Sequence, residues 1–278
     1  MEGQRQDALF HDPLAGVLAG EHGRKIADHM PMSFWTRWSV VLRTCIIDDY
    51  IRAAIKAGVD TVLNLGAGLD TRPYRMDLPA SVLWIEADYP HVIEFKEERL
   101  VNERPRCRLE RVKVDLEDAA ARRAMLASVD PRAGSLLVLT EGVVPYLSED
   151  DVTALADDLR AMAHVRCWVL DYFSFEASRY RRRNPMMRRL SKAPMKFAPK
   201  DWWGFFEVHG WRRTEIRYYM EEAQRRNRPL DMPLWMKLLF RIRGIFLSKQ
   251  RREAFQKLAG YAVLEPIGTQ GRRAQGNS

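Results

Sequence analysis

Cysteine is scarce in this sequence, and no apolar segment is long. Among its 278 residues there are three cysteines, Cys45, Cys107 and Cys167, and they stand far apart. That spacing excludes a disulfide framework, and no cluster of His, Cys and Asp has the spacing of metal ligands. Lys or Arg interrupts every candidate apolar run before the roughly 18 residues that a membrane-spanning helix needs. These absences exclude an integral membrane protein and predict no metal site.

A signal peptide is also missing from the N-terminal sequence MEGQRQDALFHDPLAG, which has neither a basic start nor an apolar core. A cytoplasmic protein with reduced cysteines is therefore predicted. Hydrophobic residues make up 46% of the chain and charged residues 29%, a composition typical of a folded protein rather than a disordered one. At this length we expect one core with elaborations.

Basic residues are concentrated in the last third of the chain. Residues 176–278 hold 24 Lys and Arg against 9 Asp and Glu, whereas residues 1–175 hold 21 against 28. Such asymmetry fits nucleic acid, an anionic membrane surface, an acidic partner protein or an acidic small substrate, and it also fits a solvated helical surface. The charge alone does not select among these.

Short aliphatic segments alternate with segments of helical spacing. Strands are predicted over 61–66, 82–88, 108–115, 135–142, 167–173, 211–220 and 261–267. Helices are predicted over 33–57, 91–102 and 148–163, the last with Ser148 and Asp151 as a capping box. This alternation predicts βαβ units. We expect an α/β fold: a doubly wound, Rossmann-like, seven-stranded, mostly parallel sheet with an N-terminal helical segment and a helical cap.

The whole chain is interpreted as a single domain. Its predicted parts are an N-terminal helical segment (1–57), a cofactor-binding sheet core (58–175), cap insertions with the last strands (176–267) and a flexible tail (268–278). Short helices broken by turns are expected over 176–205, and another helix from about Pro233. The aromatic residues of the cap either offer a flat surface to a substrate or form the cap's own core, and both interpretations stay open; they are Trp202, Trp203, Phe205 and Phe206.

The sharpest motif is TVLNLGAGLDTRPYR, residues 61–75. A predicted strand runs directly into Gly66, Ala67 and Gly68, and glycines there permit positive φ and a close backbone approach to a ligand. The next strand ends at Asp88, twenty residues beyond Gly68, where a carboxylate meets a ribose hydroxyl in nucleotide-binding sheets. The pattern predicts a nucleotide cradle.

Two cofactors compete for this cradle. A dinucleotide fingerprint requires a third glycine or alanine where this chain has Thr71, and no Gly-Lys-Ser/Thr phosphate loop occurs. S-adenosylmethionine carries a ribose, an adenine and an amino-acid end but no phosphate. We therefore predict S-adenosylmethionine as the cofactor.

The ordered motifs NLGAGLDTRPYR, WIEADYPHVIEFK, VDLED and TEGVVPYLSEDDV resemble the leucine carboxyl methyltransferase family, including its bacterial branch of polyketide O-methyltransferases. The similarity runs from the Asp-Pro element at 11–15 to the segment 261–264 and so covers most of the chain. It implies a class I methyltransferase that depends on S-adenosylmethionine.

The resemblance also implies which residues bind the cofactor. Arg43 would pair with its carboxylate, and Gly66, Ala67 and Gly68 would form the cradle. Asp88 would bind the ribose, with Glu86 beside it. The remaining implied contacts are Asp115 and Leu116 near the adenine and Glu141 at the mouth of the site.

Each of these residues also has a structural interpretation. Arg43 fits a helix-surface cation, Asp88 and Glu141 fit turns at strand ends, and Asp115 fits a helix cap. Asp70 and Thr71 fit caps of the helix that starts near Pro73. A basic cofactor contact that some family members place near the N-terminus has no clear counterpart, and Arg5 is the nearest candidate.

The predicted function is O-methylation of a carboxylate or hydroxyl on a small, anionic or aromatic acceptor, such as a polyketide-like secondary metabolite. A carboxylate acceptor needs no general base, and no catalytic residue is assigned. His164 and His209 are interpreted as structural. The arginines at 181–183, 188 and 189 are predicted to favour an anionic acceptor at the entrance.

Two alternatives remain. One is a tRNA-modifying enzyme of the same family, although no recognised RNA-binding module accompanies the sheet, so nucleic acid is not favoured. The other is a protein that binds a membrane surface or an anionic partner, suggested by the basic amphipathic stretch PLWMKLLFRIRGIFLSKQRR at 233–252.

Overall fold

The computed structural model describes residues 2–29, 33–183, 194–235 and 248–268. Within these ranges there are seven strands: β1 (Thr61–Leu65), β2 (Leu83–Asp88), β3 (Arg108–Lys113), β4 (Leu136–Thr140), β5 (Val165–Phe173), β6 (Trp211–Tyr218) and β7 (Ala259–Pro266). They form one sheet in the order β3-β2-β1-β4-β5-β7-β6. Strands β1 to β5 pair in parallel, and β7 lies antiparallel between β5 and β6. The predicted fold class is confirmed, and the ends of each strand lie within two residues of the prediction.

Helices precede the sheet and connect its strands. In the described ranges they are α1 (Ala15–His29), α2 (Ser33–Lys56), α3 (Arg72–Arg75), α4 (Pro90–Arg99), α5 (Ala119–Val129), α6 (Glu149–Ala161), α7 (Phe175–Arg183), α8 (Trp202–Val208), α9 (Tyr219–Arg225) and α10 (Lys249–Gln256). The helices predicted over 33–57, 91–102 and 148–163 correspond to α2, α4 and α6. In the described residues, no helix combines the length and apolar character needed to cross a bilayer.

Helices cover both faces of the sheet. Side chains on successive strand residues point to opposite faces, so each strand contributes to both layers of the core. Leu63 of β1 belongs to a cluster packed by α5, α6 and α8, whereas its neighbour Val62 belongs to a second cluster packed by α2 and α9. Every residue of β1, β2 and β4 is buried. The centre of the sheet is therefore a rigid support for the loops at its edge.

Helix α2 has its apolar side against the second cluster, through residues such as Leu42 and Ile46, which are fully buried. It contacts β7 and α9. The helix ends before Gly58, whose φ of +95° is typical of the glycine that closes a helix. Arg43, beside Leu42, is thereby carried to the edge of the sheet.

Helix α6 begins with the predicted capping box. Asp151 N donates to Ser148 Oγ at 3.1 Å, and Ser148 N donates to Asp151 Oδ2 at 3.2 Å. Replacing Ser148 by alanine should lower the free energy of unfolding by about 1 kcal/mol, because one helix N–H loses its acceptor. Urea unfolding of the purified variant measures this loss.

The control for that measurement is Ser39→Ala, which removes a hydroxyl from within α2 where it caps nothing and donates only to Thr36 O. This variant should unfold close to the wild-type midpoint. Equal losses for Ser39→Ala and Ser148→Ala would contradict the capping role.

Two of the four aromatic residues of the cap are buried in the core. Trp202 and Phe206 are buried against Trp168 and Phe197, whereas Trp203 and Phe205 are half-buried. The interpretation as cap core therefore holds for the first two. Arg188 and Arg189, most of the helix expected after Pro233 and most of the tail lie outside the described residues.

Candidate functional site

A cavity of about 280 Å³ lies where the carboxyl ends of β1 and β4 meet. The chain continues from β1 to β2 and β3 on one side and from β4 to β5 on the other, so the strand order reverses between these two strands. Ligands of open α/β sheets bind at such a reversal. The cavity wall includes the loop 66–72 after β1, Glu141 after β4 and Arg43 from α2.

The glycine loop adopts the conformation that the motif predicts. Gly66 and Gly68 have φ values of +70° and +49°, a region that L side chains rarely adopt. A Cβ on Gly66 would lie 2.6 Å from Val143 Cγ2, closer than carbon atoms approach. Ala67 between them is buried. All three predicted cradle residues line the cavity, and two of them, Gly66 and Gly68, carry no side chain.

Asp88 holds this loop in place. Its Oδ2 accepts from Gly68 N at 2.7 Å, and its Oδ1 accepts from Tyr89 N at 2.7 Å. The residue thus makes the turn expected at the strand end and links the cradle to α4. Its contact with a ribose stays a prediction.

Glu86 lies away from the cavity, although it is two residues from Asp88. Its side chain is fully buried, with Lys96 Nζ 2.7 Å from Oε1 and Arg111 Nε 3.0 Å from Oε2. Burial raises the pKa of Glu86 despite these cations. Both oxygens are engaged by side chains, so Glu86 serves an internal ion cluster.

Along the wall of the cavity lies a group of mostly buried ion pairs, which we call the arginine network: Arg43, Arg72, Arg75, Asp48, Asp70 and Glu141. Arg72 is at its centre, with Nε 2.8 Å from Asp48 Oδ1 and Nη1 2.9 Å from Asp70 Oδ2. Glu141 bridges two of the cations, since its Oε1 lies 2.8 Å from Arg43 Nε and its Oε2 lies 2.7 Å from Arg72 Nη1. The predicted residues Arg43 and Glu141 are therefore in direct contact.

Electrostatics keeps Arg43, Arg72 and Asp70 charged. Burial acts to lower the pKa of Arg72, but the surrounding carboxylates raise it well above its ordinary value. Burial also acts to lower the pKa of Arg43, but Glu141 and further acidic groups together raise it. Burial acts to raise the pKa of Asp70, but the charges of Arg72, Lys96 and Arg75 together lower it. The side chain of Arg43 is about one-third exposed and presents a permanent cation to the cavity.

Several residues of the site were not predicted. Asp48 joins Arg72 to Arg75, and Asp12 accepts from Thr71 Oγ1 at 2.6 Å and lines the cavity. The sequence feature that could have indicated Asp48 is its position as an ionisable residue on the apolar side of a helix. Thr71 makes no side-chain cap for α3. Arg5 pairs with an exposed Asp7 instead of facing the cavity.

Asp115 and Leu116 follow β3 at the same edge of the sheet. Asp115 is exposed and accepts from Glu117 N at 2.9 Å, while the cap of α5 is Asp118. Leu116 lines a second, small cavity of about 30 Å³ together with Leu65 and Val143. An apolar slot therefore adjoins the glycine loop on the side predicted for the adenine.

Among the described residues, no group of three or more His, Cys, Asp and Glu has the geometry of a metal site. His164 Nδ1 lies 3.2 Å from Asp130 Oδ1, and His209 Nδ1 lies 2.8 Å from Asp157 Oδ1. Both histidines pair with carboxylates away from the cavity, as their structural interpretation requires.

Comparison with known proteins places the site in context. A provisionally named S-adenosyl-L-methionine-dependent methyltransferase from Frankia alni is 35% identical over 174 residues, 59% of this chain and 60% of its own length. A protein of the same name from Streptomyces avermitilis is 29% identical over 252 residues, 84% of this chain and 86% of its own. This chain thus spans less than two-thirds of the first relative.

Similarity extends to solved structures. The crystal structure of a DUF574 family protein from Streptomyces avermitilis has a TM-score of 0.54 and 14% identity, with 92% of each chain covered, which supports the fold. A model of the leucine carboxyl methyltransferase family matches residues 1–160, which include α2, the glycine loop, Asp88 and Glu141. The chain belongs to the leucine carboxyl methyltransferase family.

Proposed function

We propose that this chain is an S-adenosylmethionine-dependent O-methyltransferase that acts on a carboxylate or hydroxyl of a small molecule, such as a polyketide-like or other secondary metabolite. The family and the names of both curated relatives support the methyltransferase activity. The cofactor is S-adenosylmethionine, in agreement with those names. The chemical class of the acceptor is the part of the proposal that goes beyond those names.

One observation carries the proposal: a positive-φ glycine loop and a permanent cation face the same cavity. Gly68 leaves room for a ligand against the backbone, since a Cβ there would have no neighbour closer than Gly66 O at 4.0 Å, whereas the absent side chain of Gly66 makes room for Val143. Arg43, which also lines the cavity, fits the carboxylate at the amino-acid end of the cofactor, because a guanidinium binds a carboxylate through charge-assisted hydrogen bonds.

When bound, the cofactor supplies a methyl group on a sulfonium, which is an already activated carbon. This chain's residues then have to align the acceptor and exclude water. The residues that line the described cavity include no histidine, and both oxygens of Glu141 are engaged by guanidinium groups. The other carboxylates among the described lining residues, Asp12 and Asp70, also have both oxygens engaged, so none of these groups is free to deprotonate a hydroxyl. A carboxylate acceptor, already ionised at neutral pH, fits this wall better.

Isothermal calorimetry tests the cofactor site. S-adenosylmethionine or its demethylated product should bind saturably with chelator present, and NAD should not. Binding of NAD alone would overturn the proposal. The acceptor is then sought by mass-shift screening of matched molecules that differ only in carrying a carboxylate or a hydroxyl.

Arg43→Ala should weaken cofactor binding by about ten- to a hundredfold, because a charge-assisted contact is worth about 1.5–3 kcal/mol. Calorimetry measures the change, with circular dichroism as the test of folding. Arg132→Ala is the control, since Arg132 pairs with the exposed Glu110 and does not line the cavity. Wild-type affinity in Arg43→Ala would mean that the carboxylate binds elsewhere.

We also propose a small anionic or aromatic acceptor in preference to tRNA or a lipid surface. Part of the basic surplus is used within the molecule: Arg217, Arg225 and Arg226 from the last third all contact Asp49 of α2. These pairs leave fewer cations for a polyanion. Salt-dependent retention of tRNA, or flotation with anionic liposomes, would favour the two alternatives instead.

A further inference from the structure

Asp171, near the end of β5, is a buried carboxyl that the proposed chemistry does not use. It is 3% exposed. Its Oδ2 accepts from Gly142 N at 2.8 Å, and its Oδ1 accepts from Tyr261 OH at 2.5 Å. A buried carboxyl is costly unless each oxygen has a partner, and here both have one. The residue lies outside the region matched by the family model, as does Tyr261.

Gly142 connects this carboxyl to the cavity, because it directly follows Glu141. Its φ is +71°, and a Cβ placed on it would meet nothing within 4 Å. The glycine is therefore required by the turn and not by lack of space. A single hydrogen bond from Gly142 N to Asp171 fixes the orientation of that turn.

The turn at Gly142 also orients the side chain of Glu141. The carboxylate of Glu141 has to reach Arg43 Nε and Arg72 Nη1 at once, at 2.8 and 2.7 Å. If the turn rotates, one of these contacts is lost and the guanidinium of Arg43 is no longer held at the cavity wall. Asp171 thus acts on the cofactor site through Gly142 and Glu141 without touching the cavity.

Tyr261 determines how Asp171 is held. It lies on β7 and is fully buried, and its hydroxyl is the one side-chain donor to Asp171 among the described residues. The charged and titratable groups around Asp171 are Arg43 from α2, Glu141 after β4, Tyr219 from α9 and Tyr261 itself. Burial raises the pKa of Asp171 to about 6, although Tyr261 and Arg43 act in the opposite direction.

We propose that Asp171 and Tyr261 form a positioning pair, which holds the Gly142 turn and so places Glu141 between Arg43 and Arg72 for binding of the cofactor's amino-acid end. This rests on the proposed function of the same site. The pair acts from the part of the chain that follows the family match, and neither member is a catalytic residue.

Calorimetry of three folded variants tests the pair. Asp171→Ala removes the acceptor and should weaken binding of S-adenosylhomocysteine by about tenfold or more, whereas Tyr261→Phe should weaken it about three- to tenfold. Asp171→Asn keeps an acceptor for Gly142 N but loses the charge, so a smaller loss is expected at pH 7.5. If Asp171→Ala does not fold, the other two variants still decide the matter.

The pH dependence separates positioning from general damage. Because burial raises the pKa of Asp171 to about 6, its carboxyl should take up a proton as the pH falls to 5 and come to resemble asparagine, so the affinities of wild type and Asp171→Asn should converge. At pH 7.5 the wild type should bind about three- to tenfold more tightly. Cys167→Ala, a buried change on the same strand, should lower stability and leave affinity unchanged at both values.

The outcomes are distinct. If the wild type does not bind the cofactor product, the proposed function fails and the positioning pair fails with it. If the wild type binds but Asp171→Asn and Tyr261→Phe bind equally well at pH 7.5, the positioning pair alone is overturned. A pH-dependent ratio for Asp171→Asn and a constant ratio for Cys167→Ala would support it.

Discussion

Replacement of Arg72 by methionine should lower the free energy of unfolding by about 3–5 kcal/mol, the range for removing one partner of a buried ion pair. Arg72 contacts Asp48, Asp70 and Glu141, all within 2.9 Å. Its side chain is 3% exposed, so water cannot replace the lost guanidinium. Methionine fills much of the same space and leaves three carboxylates facing one another. Urea denaturation followed by circular dichroism measures the loss.

Arg132→Met provides the control, because it removes the same charge from an exposed arginine that pairs with Glu110 outside the arginine network. Exposed pairs contribute little, so this variant should stay within about 1 kcal/mol of the wild type. Arg72→Met should also be more destabilised at pH 7 than at pH 4, since Asp70 loses the cation that lowers its pKa and protonation then removes its unpaired charge. A loss below about 1 kcal/mol would mean that the arginine network is not a unit of stability.

Gly66→Ala should cost both stability and cofactor affinity. The residue would be forced to keep a φ of +70°, a conformation that costs about 1–2 kcal/mol for an L side chain. Its new Cβ would also lie 2.6 Å from Val143 Cγ2, so the loop has to shift at the wall of the cavity. We expect affinity for S-adenosylhomocysteine to fall by more than about tenfold, the equivalent of 1.4 kcal/mol. Calorimetry and urea unfolding on one preparation measure both effects.

Two further variants separate the causes. Gly58→Ala carries the same kind of strain at a φ of +95°, with nothing within 4 Å of the new Cβ and far from the cavity lining, so stability should fall and affinity should not. Gly66→Ala combined with Val143→Ala removes the clash and should recover part of the affinity. Unchanged affinity in Gly66→Ala would show that the cofactor does not approach this loop.

The parts of the site that the sequence predicted are those with local requirements. Gly66 and Gly68 are recognisable because a backbone conformation demands glycine wherever the rest of the chain goes. Ser148 and Asp151 are recognisable for the same reason, since a capping box involves residues three apart. Strands β1, β2 and β4 could be predicted because buried parallel strands are continuous aliphatic runs.

The remainder depends on which distant segments meet. Asp48 and Arg72 are 24 residues apart on different helices, and nothing in either segment specifies the other. Lys96 reaches Glu86 only because α4 packs beside β3. The position of Glu86 two residues before Asp88 therefore did not indicate its role. Asp171 was one polar residue in an apolar strand, and its partner Tyr261 lies 90 residues later.

The insertion of β7 between β5 and β6 has a consequence for synthesis of the chain. β5 has no partner on its outer edge until residues 259–266 arrive, although β1 to β5 are already complete at residue 173. Until then an aliphatic strand edge is unpaired, a state that invites aggregation. A nascent chain stalled near residue 200 should therefore be sensitive to protease and bind the cofactor poorly. The sheet, and with it the site, is complete only once β7 has been synthesised.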